Sequence, residues 1–128
     1  MKVIYIAGAF RADTQWQIRC NVHAAECAAY EVAQLGAMPL IPHANTEHFH
    51  GSMPDEFWLR GTLELMYRCD AILVLRSWAH SDGTKAEMQA ARNVGLPVFM
   101  SRTALADWIF GARESSPDVE VKQLGPYR

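Results

Sequence analysis

An apolar run, Ala71 to Leu75, feeds a stretch of small and polar residues from Ser77 to Thr84, and an Ala-rich segment from Ala86 to Val94 leaves it. Five apolar residues ahead of a turn-forming loop read as a strand buried on both faces, and a helix after such a strand is the crossover unit of a parallel sheet. The same alternation runs through the rest of the chain. Val3 to Ala7 is a first strand with Tyr5 inside it. Apolar residues at Ile18, Val22, Ala25, Ala29, Val32 and Leu35 recur in steps of three and four, which marks one buried helix face over residues 15–35. Asp13 or Thr14 caps that helix and Gly36 stops it. Met38 to Pro42 is a short second strand, and its two prolines, lacking ladder donors, place it at a sheet edge. His43 to Pro54 is a polar loop. Asp55 caps a helix through Trp58, Leu59, Leu63, Met66 and Tyr67. Gly95 ends the Ala-rich helix, Leu96 to Met100 is a fourth strand, and Thr103 to Phe110 is a last short helix.

Strands alternating with helices predict a flavodoxin- or Rossmann-like three-layer α/β/α sandwich with a mostly parallel sheet of four or five strands. It occupies residues 1–110. A polar tail, 111–128, follows, in which Val119-Glu120-Val121-Lys122 alternates enough to add an edge strand. The 128 residues suffice for one core and not for two. Twelve basic against fourteen acidic residues leave a formal charge of −2, which gives no basic face for nucleic acid. The three cysteines, Cys20, Cys27 and Cys69, form no CxxC pair and read as reduced thiols of a cytoplasmic protein. The apolar start is too short for a signal peptide, and no apolar stretch is long enough to span a bilayer.

In folds of this kind ligands bind at the carboxyl ends of the strands, which collects the loops at Gly8, His43 and Trp78 along one rim. The loop before the Ala-rich helix offers hydroxyls, a glycine at position 83 and the unpaired N–H groups of a helix N-terminus, an arrangement suited to an anion. Glu87 falls in the first turn of that helix, so its carboxylate sits beside whatever the loop holds. An anion cradle next to one carboxylate points to chemistry on a phosphorylated small molecule. Ser81 and Thr84 serve as caps, which is compatible with touching a phosphate. Arg11 is either a counter-charge for that phosphate or a solvated charge. His43, His48 and His50, spaced H-x4-H-x-H without a cysteine, match no familiar zinc pattern, so no metal or other cofactor is expected.

Two segments taken together, Tyr5-Ile6-Ala7-Gly8-Ala9-Phe10-Arg11 and Ser81-Asp82-Gly83-Thr84-Lys85-Ala86-Glu87 with the following Gly95-Leu96-Pro97-Val98, carry a resemblance. The pattern resembles the nucleoside 2-deoxyribosyltransferase superfamily, and within it the 2′-deoxynucleoside 5′-phosphate N-hydrolases and related bacterial and phage proteins. The resemblance implies that Glu87 is the nucleophile, attacking the anomeric carbon and displacing the base. It implies that Tyr5 orients that carboxylate, and that Gly8, Arg11, Ser81 and Gly83 line the nucleotide and its 5′-phosphate; Phe10, in the same loop, and Thr84, beside the cap, are further candidate substrate contacts. His43, immediately after the second strand, lies on the ligand rim and is a candidate to touch the base, and Trp78, in the loop, is better placed to stack on it than Trp58, whose helical spacing favours the core. The resemblance also implies a homodimer or higher homo-oligomer. It breaks at one point: where the hydrolases carry an aspartate that assists base departure, this chain has Thr62, so either Asp55, Glu64, Asp82 or a histidine supplies the proton or the chain is a nucleotide-binding or signal-sensing module that turns nothing over. A carboxylate nucleophile must be ionised, and a helix N-terminus favours that form by about 0.3–1 kcal/mol.

Overall fold

The computed structural model describes residues 1–49 and 51–114, and the expected edge strand at Val119 to Lys122 lies outside them. Four strands, β1 (Val3–Ala7), β2 (Met38–Leu40), β3 (Ala71–Val74) and β4 (Val98–Phe99), form an all-parallel sheet in the order β2-β1-β3-β4. Five helices connect and flank them: α1 (Gln15–Gln34), the single turn α2 (Pro42–Asn45), α3 (Asp55–Tyr67), α4 (Asp82–Asn93) and α5 (Arg102–Glu114). The fold is the expected three-layer α/β/α arrangement.

Alternation along the two central strands divides the core. Ile4 and Ile6 of β1 and Ala71 and Leu73 of β3 face α1 and α5, where they pack on Ala25, Ala29, Val32, Leu105 and Ile109. Tyr5 and Ala7, with Ile72 and Val74, face the opposite layer and pack on Met66 of α3 and Met88 and Ala91 of α4. A side-chain period of two therefore puts Tyr5 on the α3–α4 side and nowhere else. The strands start in step because Asp70 accepts from Val3 N–H through Oδ2 at 2.7 Å and donates its own N–H to Val3 O at 2.8 Å. β2 occupies an edge, as expected, but only Pro39 of the two prolines lies in the strand; Pro42 lies in α2.

Several boundaries differ from expectation for local reasons. Thr14 is the cap of α1, its Oγ1 accepting from Gln17 N–H. The polar loop after β2 is not structureless: Pro42 opens α2, and a 3-10 turn spans Glu47–Phe49. Asp55 is not a cap but the first residue of α3; Pro54 holds the cap position and makes no side-chain bond. Residues Arg76–His80 coil into a 3-10 turn. α5 runs to Glu114, beyond the expected end at Phe110. No helix among the described residues is long and apolar enough to cross a membrane.

Sheet order places β1 between β2 on one side and β3 on the other, so the chain leaves β1 and β3 into connections on opposite sides of the sheet. The crevice at their carboxyl ends is the switch point at which open α/β folds bind ligands. The backbone closes tightly there. A Cβ at Gly8 would lie 2.6 Å from Leu75 Cδ1 and 3.0 Å from Leu75 Cβ, so only glycine lets the first loop lie against the exit of β3. At Gly83 the corresponding atom would meet only Ser81 Oγ, at 4.0 Å. Gly8→Ala is therefore expected to lower stability by about 1–3 kcal/mol in urea denaturation. Gly83→Ala, in open space at a helix start, is expected to be neutral or stabilising by up to ~1 kcal/mol.

Candidate functional site

Tyr5 and Glu87 adjoin beneath the switch point. Tyr5 is fully buried on β1, and its hydroxyl has no hydrogen-bond partner in the protein. Glu87 is half-buried on α4, and its Oε2 is likewise buried and unpartnered. The two groups are near enough to shift each other's proton affinity, yet the geometry is that of a contact, not of a completed hydrogen bond. Burial, followed by the Glu87 charge, pushes the Tyr5 phenol far above its ordinary value, so it stays a hydrogen-bond donor at any physiological pH. Burial pushes the Glu87 carboxyl up to about 7, against a smaller downward pull from Tyr5.

This corrects one expectation. α4 begins at Asp82 with Ser81 as its cap, which puts Glu87 in the second turn and not the first. A helix dipole acts mainly within its first turn, so it lends Glu87 little and desolvation prevails. The same displacement separates the carboxylate from the anion-suited helix end. Five residues of α-helix advance ~7.5 Å along the axis. The amides of Asp82 and Gly83, first in the helix, have no intrahelical acceptor. Ser81 Oγ accepts from Thr84 N–H at 3.2 Å and from Thr84 Oγ1–H at 2.8 Å. Thr84 is only 1% exposed, so its hydroxyl is committed inside the protein, whereas Gly83 is open to solvent.

The loop after β1 is held at three successive residues by side chains from three elements. His43, buried at the start of α2, directs Nε2 at Gly8 O (2.9 Å) and Ala9 O (3.1 Å). Two carbonyl partners require Nε2 to carry the proton, which leaves Nδ1 as a bare acceptor, buried and unpartnered. Burial also lowers the His43 pKa, keeping the ring neutral despite the opposing pull of the two carbonyls. Ser77 Oγ accepts from Ala9 N–H at 3.1 Å, and Asn21 of α1 donates to Phe10 O at 3.1 Å. The Phe10 ring meets His43 edge-on at 5.7 Å. Ser77 stands in the polar stretch after β3, and Asn21 is one of many polar residues on α1, so neither carries a signal of its own.

The remaining candidates are more dispersed. Arg11 pairs with Asp55 (3.1 Å), both well exposed, a surface ion pair of the kind that contributes little. Trp78 packs half-buried against the α3–α4 side of the core. Trp58 is half-buried, stacked on Phe49 at 5.7 Å. The Thr62 hydroxyl donates to Trp58 O at 2.6 Å, a bond back into its own helix. Among the described residues, no group of three or more His, Cys, Asp and Glu is arranged to hold a metal ion. Two open grooves, about 490 Å³ along α3 and about 400 Å³ between β2, α2 and Leu65, are lined by neither Tyr5 nor Glu87.

Because the folded carboxyl titrates near 7 and the unfolded one near 4.5, the native chain holds this proton more tightly than the unfolded chain. Its contribution to stability is fully present below the unfolded value and is lost as pH rises through about 7. Glu87→Gln, which mimics the protonated form, is expected to exceed wild type in stability by about 1–3 kcal/mol at alkaline pH and to match it in acid. Urea denaturation across that pH range measures the difference.

A family model described as a domain of unknown function, DUF4406, matches residues 2–100. No curated protein and no solved structure matches the chain. The matched span contains all four strands, Tyr5 and the loop it precedes, and Glu87. The chain belongs to the DUF4406 family.

Proposed function

We propose that the chain cleaves or transfers the N-glycosidic bond of a (deoxy)nucleoside or its 5′-monophosphate through a glycosyl ester on Glu87, without metal or organic cofactor. One observation carries the reading: a buried, permanently protonated Tyr5 hydroxyl and a Glu87 carboxylate oxygen, both without a protein partner, adjoin between β1 and α4. Burying such groups unsatisfied costs about 1–3 kcal/mol each, a cost that a reacting group entering between them offsets. Glycosidic cleavage develops positive charge at the anomeric carbon, which a desolvated carboxylate stabilises strongly and then bonds to. The C–N electron pair leaves with the base, which takes up a proton. Water then opens the ester and regenerates the carboxylate, or a second base does so in transfer. Two displacements at one carbon retain its configuration.

The 5′-phosphate fits the exposed start of α4 at Gly83, about one turn from Glu87, ~6 Å along the helix axis. Arg11 reaches this anion by exchanging its exposed partner Asp55, and His43 and Trp78 remain the side chains for the base. A homodimer or higher homo-oligomer belongs to the same reading.

A second reading, a nucleotide-binding or signal-sensing module that turns nothing over, is favoured by Thr62. Its hydroxyl is committed to Trp58 O, so no acid stands at the position from which base departure is assisted in the hydrolases the chain resembles.

Chromatography of free base after incubation with a panel of nucleosides and deoxynucleoside monophosphates separates the two. Release is expected from wild type and to fall on the order of 10³-fold or more in Glu87→Ala. Release that persists in Glu87→Ala removes the mechanism, and tight nucleotide binding with no release from wild type selects the sensor. Since the nucleophile acts ionised, kcat/KM is expected to rise with pH through about 7 and level off above it.

A further inference from the structure

Among the described residues four buried side-chain polar atoms have no partner in the protein: Tyr5 Oη, Glu87 Oε2, His43 Nδ1 and Trp58 Nε1. The chemistry at Glu87 leaves the indole nitrogen unused. Trp58 lies in the first turn of α3. A helix that leads into a parallel strand runs against it, so this turn stands at the carboxyl ends of the strands. Trp58, Thr62 and Met66 follow one another in steps of four along one stripe of α3, and Met66 packs in the layer of Tyr5 and Met88. The indole ring is fixed: Phe49 stacks on it at 5.7 Å, and Phe57 meets it almost at right angles at 5.0 Å. Three residues earlier, Asp55 ties the same turn to Arg11 of the loop after β1. A rigid donor, closed to solvent and lacking an acceptor, therefore stands beside the first loop and one turn from Thr62.

We infer that the Trp58 indole N–H, and not an acid, assists the departing base by a hydrogen bond to one of its carbonyl oxygens, which makes the substrate a uracil-type deoxynucleotide. The inference rests on the glycosyl transfer to Glu87 proposed above. Among the described residues no acid is buried where it could serve instead: Asp55, Glu64 and Asp82 are exposed, as are His48 and His80. His43 spends its only proton on Gly8 O and Ala9 O. An indole N–H donates a hydrogen bond but does not give up its proton. As the C–N bond to the sugar breaks, its electron pair passes into the base and onto the carbonyl oxygens. A fixed donor out of water gains most at that moment, because the charge it meets is only then forming. The base leaves as an anion, the sugar remains as the Glu87 ester, and water protonates the free base afterwards. A base that leaves without a proton must be acidic at its ring nitrogen. Two ring carbonyls provide this acidity, and the amino group of cytosine diminishes it. Between those carbonyls a uracil-type ring carries an N–H, the complement of His43 Nδ1, which can only accept.

Single-turnover release of base tests it, with the full chain in excess over the 5′-monophosphates of deoxyuridine, 5-fluorodeoxyuridine and deoxycytidine, since this reads the first displacement alone. Wild type is expected to release the fluorinated base fastest and cytosine slowest, roughly tenfold or more behind uracil. Trp58→Phe keeps an aromatic ring against Phe49 and removes the donor. It is expected to slow uracil release on the order of 10²-fold with little change in half-saturating concentration. Release of fluorouracil should fall much less, because a more acidic base needs less help, whereas a ring that only packs would affect every base alike. Circular dichroism verifies that the variant is folded, and the order of bases in wild type tests the inference without it. Failure to release any base ends the glycosyl-transfer reading and this inference with it. Cytosine released as fast as uracil reveals a proton donor and overturns the inference while the Glu87 ester stands. An equal loss for all bases in folded Trp58→Phe, or no loss, does the same.

Discussion

Parallel pairing of β1 with β3 governs everything at the candidate site. Its register sets Tyr5 beside Ile72 and Ala7 beside Val74, and strand alternation sends all four toward α3 and α4. A slip of one residue would turn Tyr5 to the α1–α5 side and leave Glu87 without its neighbour. Asp70 guards against that slip by bonding Val3 from both its backbone and its side chain. At the other end of the same pair, Leu75 N–H donates to Ala7 O at 2.8 Å and the Leu75 side chain rests against Gly8. The pair is therefore fixed at both ends, and a phenol on one strand can be held at constant distance from a carboxylate on the helix that follows the other.

Around this pair the protein spends its polar groups unevenly. The loop after β1 is fully engaged: Gly8, Ala9 and Phe10 are each tied to a side chain from α2, the segment after β3, or α1. By contrast, Tyr5 Oη, Glu87 Oε2 and His43 Nδ1 have no protein partner although buried. A rigid wall beside unsatisfied groups is the preorganisation that recognition sites require, since ordering costs are met at folding and not at binding. The raised pKa of Glu87 follows from the same imbalance: few groups stabilise its charge in the folded chain.

Much of the fold was legible in the chain because its signals are local. Steps of three and four along α1, the apolar runs of β1 and β3, and Pro39 of β2 each announce an element without reference to the others. Helix starts were less legible. Asp55 has the chemistry of a cap, but Pro54, restricted in φ, takes that position and Asp55 becomes the first helical residue. For α4 the cap at Ser81 was readable, but counting its turns from Asp82 puts Glu87 one turn deeper, and there burial raises its pKa. The proximity of Tyr5 and Glu87 has no signature in the pattern of either segment; the resemblance implied it, and register and helix phase produce it. The roles of Asn21, Ser77 and His43 in holding the first loop depend on contacts across 11, 68 and 34–35 residues of sequence, which composition and periodicity do not encode.

Pro39 has a consequence for how the sheet ends. Met38 donates its N–H inward to Lys2 O at 2.8 Å, so the next residue along the strand turns its backbone outward, and there the ring of Pro39 replaces the N–H. The open side of β2 thus lacks a donor at the centre of a three-residue strand, and the opposite margin, β4, is two residues long. Neither margin offers a template onto which a foreign strand could zip, which protects the molecule from fibre-like stacking.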